Sequence, residues 1–591
     1  MNRKYLSFAL IFGLLVGAAA CSDFLDMSPE DRVSDDAVWK TPDHLKLYVN
    51  NFYNNDGLLP RRAGYSNTEI PFYQDVSRGS DTQIGINHDS RLNGESIVPE
   101  SGGGWAYSDW ALLRNINYFF SRYQTATGSE DEINRYVGEA LFFRALFYFN
   151  KLRDFGDVPF YDETLMLKDD VLLHKARDPR NEVVGRLMDD LDKAVQYLPS
   201  RKDRAWDGRV NKETAMLLQA RIALYEGTWE KYHAGTPFGV QGSDGTTFIT
   251  KAKEVTDALI ALNSCNIDNL GAPNGYYNLF NRHSYAGSEE VLLWRQYQTS
   301  IATHTWPRYT YTGSGMGLTK KMIDSYLCTD GKPIELTSLA YSDSTLTAVV
   351  VNRDPRLNQT IYVNDSAHVT DDLSTPKKVF TYPQLAGAGT TTCATGYQVY
   401  KGHDPTEYES SNGTAAQIYF RYAEALLINA EAKAELGAIN QADLDNTVNK
   451  LRDRVGLAHL DLSDVNNWSG NYTKEFPGVS NIINEIRRER KVELVGEGFR
   501  MDDIFRWAAA DVLLKNYIPL GAVRAQWEGI ANNTYLGDVS AIPVKDGYIN
   551  PYGNVSVGTS GYQFNTNRDY LRPLPQTERV LNPALTQNPG W

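Results

Sequence analysis

Catalytic chemistry tends to leave recurrent spacings in a sequence, and few of them occur here. The nine histidines form no HExxH or His-x-His pattern and no paired CxxC accompanies them, so a zinc or transition-metal enzyme is disfavoured. Gly313, Gly315 and Gly317 alternate with Ser314 and Met316, which matches neither a nucleophile elbow, nor a Walker loop, nor a GxGxxG turn opening a helix; the stretch reads as a flexible loop. With 73 Asp and Glu residues, a carboxylate pair for glycoside hydrolysis would meet in space rather than in sequence, and it stands as the least favoured reading. The run Arg487, Arg488, Glu489, Arg490, Lys491 invites a phosphate. However, Glu485 and Arg488, like Arg490 and Glu493, lie three apart on a helix, so the run is expected to pair with itself.

What remains is binding chemistry. The chain carries 36 Tyr and 11 Trp against 8 Met, and such rings offer a flat apolar face with a polar edge, suited to sugars or peptides in water. Trp105 and Tyr107 follow Gly102, Gly103 and Gly104, a hinge able to present them to solvent. Trp306, Tyr309 and Tyr311 sit in a polar stretch after the apolar run Val291 to Trp294. Asp75, Arg78 and Asp81 offer carboxylates and a guanidinium to bracket sugar hydroxyls. For each aromatic the alternative is packing against a neighbouring helix, and for the charged trio it is an exposed loop ion pair. A formal charge of −14, or −16 once Arg3 and Lys4 are removed with a leader, argues against nucleic acid as a partner.

The elements that must position these residues begin after residue 20. Arg3 and Lys4 precede an apolar stretch from Tyr5 to Ala20 whose far end is weakened by Gly13, Gly17 and Ala18 to Ala20, a signal peptide rather than a membrane span. Leu15 to Ala20 before Cys21 resemble the lipobox of bacterial lipoproteins, which implies acyl chains on Cys21 and a membrane anchor. The other cysteines, 265, 328 and 393, allow at most one disulfide. Apolar residues recur at helical spacing at Leu141, Ala145, Tyr148 and Leu152, at Ala215, Leu218, Ile222 and Tyr225, and at Ala425, Ile428 and Ala432. Asn181 to Pro199 ends like the second helix of a tetratricopeptide repeat. The expectation is a mostly α fold with about four degenerate tetratricopeptide hairpins within about 110–262 and 415–510. Loop-rich tracts at about 58–105, 265–417 and 532–570 would carry the ligand face. In the middle tract, Thr347 to Val351 and Gln359 to Val363 read as short strands.

Several phrases together resemble the SusD/RagB family of outer-membrane nutrient-binding lipoproteins. They are Cys21 to Leu25; Trp110, Leu113, Ile116 and Asn117; Arg144 to Tyr148 with Phe155 to Pro159; Gly208 to Val210; Arg421 to Ala425; Ile486 to Val495 with Glu497, Gly498, Arg500, Asp502, Arg506 and Trp507; and the end from Tyr570 to Trp591. The resemblance spans nearly the whole chain after residue 20, as a single domain from 21 to 591. It implies a mostly α fold, no enzyme activity, no cofactor, and a SusC-like TonB-dependent transporter as partner. It also implies an oligo- or polysaccharide ligand held by variable loops, or a peptide as in the RagB branch. Ser22, Asp23 and Asp26 resemble the surface-export signal of such lipoproteins, placing the chain on the outer membrane. A structural calcium ion would leave no spacing to read outside an EF-hand loop, and no such loop is present.

Overall fold

Thr41 begins the first helix, accepting a hydrogen bond from the His44 backbone N–H, with Pro42 in the first turn where its missing N–H has no partner to lose. The computed structural model describes residues 38–591 except 56, 61–78, 167, 204–207, 386–391, 409–411, 529 and 531–537. Cys21, the leader, Asp75 and Arg78 therefore lie outside the described residues.

Helix α1 (Pro42–Tyr53) is followed by α2 (Ala111–Arg122), α3 (Glu130–Phe155), α4 (Arg180–Tyr197), α5 (Lys212–Tyr232) and α6 (Thr246–Ala261). Three acidic residues open α3 at the positive end of its dipole, and the helix ends at Gly156. The face expected from Leu141, Ala145, Tyr148 and Leu152 is buried, and so is nearly all of the helix around it. The reason is that α1, α2, α4 and α5 all pack against α3. Helix α4 packs between α3 and α5, and α5 packs along α6. The last contact is close. A Cβ on Gly245, at φ 78°, would meet the Gly227 carbonyl oxygen at 1.9 Å, and one on Gly227 would meet the Ile249 nitrogen at 2.6 Å.

The second group of helices is α7 (Trp306–Thr312), α8 (Tyr422–Glu435), α9 (Val448–Asp453), α10 (Asn481–Glu493) and α11 (Arg500–Arg506). Helix α8 packs on α5, α6 and α10, and its apolar residues join the core of the first group. The strands are short: β1 (Gln83–Ile84) pairs antiparallel with β3 (Gly317–Leu318), and β2 (Val291–Arg295) with β4 (Gln417–Arg421). The tract between β2 and β4 has its own core, built on Trp306, Met322, Tyr326, Leu357, Tyr362 and Tyr397. Cys265, Cys328 and Cys393 are buried free thiols. Among the described residues no helix is long and apolar enough to cross a membrane.

Two expectations need correction. Gln359 to Val363 is not a strand: Asp354 caps a helix from Pro355 to Thr360, and only Ile361 makes a single bridge, to Val399. Thr347 to Val351 lies in turns. Here capping and proline at the first turn outweigh β-branching.

The charged run on α10 pairs with itself only in part. Arg488 does pair with Glu485 at 2.7 Å, but Arg490 pairs with Asp503 and leaves Glu493 to others. Glu493 is fully buried and accepts from Arg421 at 2.7 Å, Arg454 at 2.5 Å and Arg356 at 3.1 Å. Burial would raise its carboxyl, yet Arg454, Arg421 and Arg356 outweigh burial and hold it well below the usual carboxylate range. Arg356 comes from the middle tract, Arg421 from β4 and Arg454 from the residue that ends α9, so one carboxylate ties the loop-rich half to the helices. Removing one partner from such a cluster leaves an uncompensated charge, which costs about 3–5 kcal/mol.

Candidate functional site

Helix α7 divides its residues by facing. Trp306 and Thr310, four apart, point into the middle core, while Arg308 is exposed and Tyr309 and Tyr311 are partly buried. Trp306 is 1 % exposed, and its indole N–H donates to the Gly402 carbonyl at 3.1 Å. It therefore fastens α7 to the 400–404 segment and is not a stacking surface, a correction to its expected role. Tyr309 packs against the same core.

Tyr311 meets Tyr408 edge to face, with ring centroids 5.4 Å apart and planes at 68°. The Lys378 ammonium lies 5.4 Å from the Tyr408 centroid and 3.1 Å from Asp371. Two partly buried rings at a steep angle, with an exposed cation beside them held by the buried Asp371, present apolar faces and a hydrogen-bond donor together. Behind them His403 is buried, with Nε2 at 3.0 Å from the Thr370 carbonyl. Burial pushes its imidazole down to about 4.

Two threonines hold the carboxylates that flank Tyr408 on its N-terminal side. Thr406 donates to Asp404 from its backbone N–H at 2.9 Å and its hydroxyl at 2.7 Å. Thr414 donates in the same two ways to Glu407. His283 lies at the other side of this loop, with Nε2 at 2.9 Å from Asp404 Oδ2 and Nδ1 at 2.9 Å from Thr414 Oγ1. The bond to Asp404 raises the imidazole above its ordinary value against the effect of burial.

The other expected residues stand elsewhere. Trp105 is 4 % exposed and packs edge-on against Phe155 at 4.8 Å and Trp110 at 5.3 Å, so it belongs to the helical core and not to a ligand face. Tyr107 is 78 % exposed, with the Arg114 guanidinium 3.6 Å from its ring centroid, so one ring face is covered. Asp81 is fully buried: Arg500 donates to its two oxygens at 2.7 and 2.5 Å, and Lys321 lies at 3.1 Å. Both oxygens are engaged, which removes it as a bracket for sugar hydroxyls. Sequence reasoning missed Tyr408, Lys378, His283, Asp404 and Glu407. Over a hundred residues separate His283 from its carboxylates, and no spacing announces them.

Residues 281–591, more than half of the chain, match the family model described as SusD family. The chain belongs to the SusD family. Residues 23–224 match a second model, described as starch-binding associating with outer membrane. SusD-like protein P2 of Formosa agariphila is 25 % identical over 618 residues, covering the whole of both chains. SusD-like protein P38 of the same organism is 24 % identical, covering 85 % of this chain and 92 % of its own. Among solved structures, a SusD-like carbohydrate binding protein from Bacteroides fragilis superposes with a TM-score of 0.68 at 20 % identity, covering 93 % of this chain and all of that one. A laminarin-binding SusD-like protein superposes at 0.53 and 18 % identity, covering 94 % and 100 %. The SusD-like fold, mostly helical with short strands, is thereby established.

Proposed function

We propose that this SusD-family protein is a non-catalytic lipoprotein of the cell surface, anchored through Cys21, that binds an oligo- or polysaccharide and delivers it to a SusC-like TonB-dependent transporter. The observation that carries the ligand reading is the Tyr311–Tyr408 pair with Lys378 beside it, standing on a loop tract that the Glu493 cluster ties to the helices. Aromatic faces take up the apolar faces of sugar rings, and the ammonium takes up hydroxyls. The carbohydrate-binding and laminarin-binding relatives of the same fold support a glucan as the first ligand to try. We read the helical scaffold as about four degenerate tetratricopeptide hairpins whose role is to hold these loops.

The test is calorimetric titration of the chain from Ser22 onward with plant, host and microbial polysaccharides, laminarin among them. Saturable heat with one class, unchanged ligand afterwards, and loss of that heat in Tyr311→Ala and Tyr408→Ala support the reading. Release of reducing sugar by the pure protein overturns the non-catalytic part, and binding of a peptide pool in place of any glycan overturns the ligand.

A further inference from the structure

Three side chains beside the proposed ligand face carry a chemistry that glycan binding does not use. One ring nitrogen of His283 and one carboxylate oxygen each of Asp404 and Glu407 lie within 4.8 Å of one another. His283 is half exposed, while Asp404 and Glu407 are largely covered. Among the described residues no other three His, Cys, Asp or Glu side chains converge in this way.

The hydrogen-bond pattern around them is directional. Thr414 has a single hydroxyl hydrogen, and it points to Glu407 Oε1 at 2.7 Å. Its oxygen therefore accepts from His283 Nδ1, 2.9 Å away, which assigns the ring proton to Nδ1. Nε2 then turns a lone pair toward Asp404 Oδ2 at 2.9 Å, and two lone pairs face each other unless a positive ion stands between them. A second proton on the ring is one such ion, and a metal ion is the other. Ligand atoms about 2.0–2.1 Å from a tetrahedral ion lie about 3.3 Å apart, so Nε2 and Oδ2, now 2.9 Å apart, open by a few tenths of an ångström to admit one. The carboxylates are oriented from behind, Asp404 by Thr406 and Glu407 by Thr414, as outer hydrogen bonds orient ligands in metal sites.

We propose that His283, Asp404 and Glu407 bind a divalent transition-metal ion of the zinc type, with water in the outward position left by the exposed side of His283. An imidazole with two carboxylates suits zinc or its neighbours better than calcium or magnesium, which favour oxygen alone. Glu407, whose Oε1 lies 3.9 Å from His283 Nδ1, has to swing toward Asp404 to complete the set. Bound metal ties the 281–285 turn to Asp404 and Glu407, and so steadies the adjoining Tyr408. That last consequence rests on the proposed ligand face, whereas the metal site does not.

The test uses the chain from Ser22 onward, stripped with chelator and titrated with Zn2+, with Co2+ as a spectroscopic probe and Ca2+ as a comparison. The expected result is one equivalent of Zn2+, a visible Co2+ band, and at least tenfold weaker binding in His283→Ala, with Glu407→Gln weakened as well. Circular dichroism and melting of the half-exposed His283→Ala variant check that it folds. No saturable equivalent, equal affinity in His283→Ala, or preference for Ca2+ over Zn2+ overturns the site. Glycan titration run with and without Zn2+ reports separately. Failure of glycan binding with metal bound refutes the ligand reading and leaves the metal site standing.

Discussion

Acidification should unfold this protein earlier than its carboxylates alone require, because His233 is buried in its neutral form. The ring stacks on Trp229 at 4.1 Å, meets Tyr570 edge-on at 4.7 Å, and has Nε2 at 2.8 Å from the Phe505 carbonyl. Burial is the main reason its imidazole falls from 6.5 to about 4, and Arg180 lowers it further. As pH drops below 6.5 the unfolded chain takes up a proton that the folded chain refuses until about 4. Stability contributed by this group is therefore present above pH 6.5 and is lost across the window from 6.5 down to 4. The shift corresponds to about 3 kcal/mol in full, of which about 2 kcal/mol is lost by pH 5, where the slope is about 1 kcal/mol per pH unit. Urea unfolding of the wild type and His233→Gln at intervals from pH 8 to 5 measures it. The variant starts less stable, since the ring stack is gone, but its line is flatter by that slope. Parallel lines for the two proteins between pH 7 and 5 would refute the reasoning, whatever the absolute stabilities.

Other expectations follow from single contacts. Tyr311→Ala and Tyr408→Ala should each weaken glycan binding about tenfold, one stacked ring being worth about 1–1.5 kcal/mol, with melting temperature little changed; calorimetry reads both. Glu493→Gln keeps the shape but removes the charge facing Arg421, Arg454 and Arg356, and should destabilise by about 3–5 kcal/mol in denaturant titration. Asp81→Asn leaves Arg500 and Lys321 facing a neutral amide and should cost a similar amount, with glycan affinity per folded molecule unchanged. Loss of affinity at full stability would restore Asp81 to the ligand face. Gly245→Ala should cost about 3 kcal/mol or more, since both its φ of 78° and the Gly227 carbonyl oppose a side chain.

The helices were legible because their apolar spacing survives burial: every residue of the three faces read from sequence is buried. The binding face was legible only in part. Tyr311 could be picked out because it lies in a polar tract, but Trp306, four residues before Thr310 on a seven-residue helix, points the other way, and that phase is invisible until the helix ends are known. Trp105 misled because three glycines imply mobility, whereas Phe155, fifty residues on, supplies a wall for its ring. Asp81 and Arg500 are 419 residues apart, and no local pattern links them. The α10 run was read as self-paired because Glu485 and Arg488, like Arg490 and Glu493, stand three apart; Arg488 keeps that partner, but Arg490 turns to Asp503 and Glu493 to arginines of distant segments.

The anchoring of Trp306 at Gly402 bears on how binding is divided between heat and disorder. A ring held in place before a ligand arrives has already lost the rotamer freedom that an exposed side chain surrenders on contact, about 0.5–1.5 kcal/mol for each group immobilised. Tyr311 rides on the helix that Trp306 clamps, so its share of that loss is met during folding. Glycan capture by a face of this kind should show a favourable enthalpy, a small entropic penalty, and an affinity set by how long the sugar stays rather than how fast it arrives.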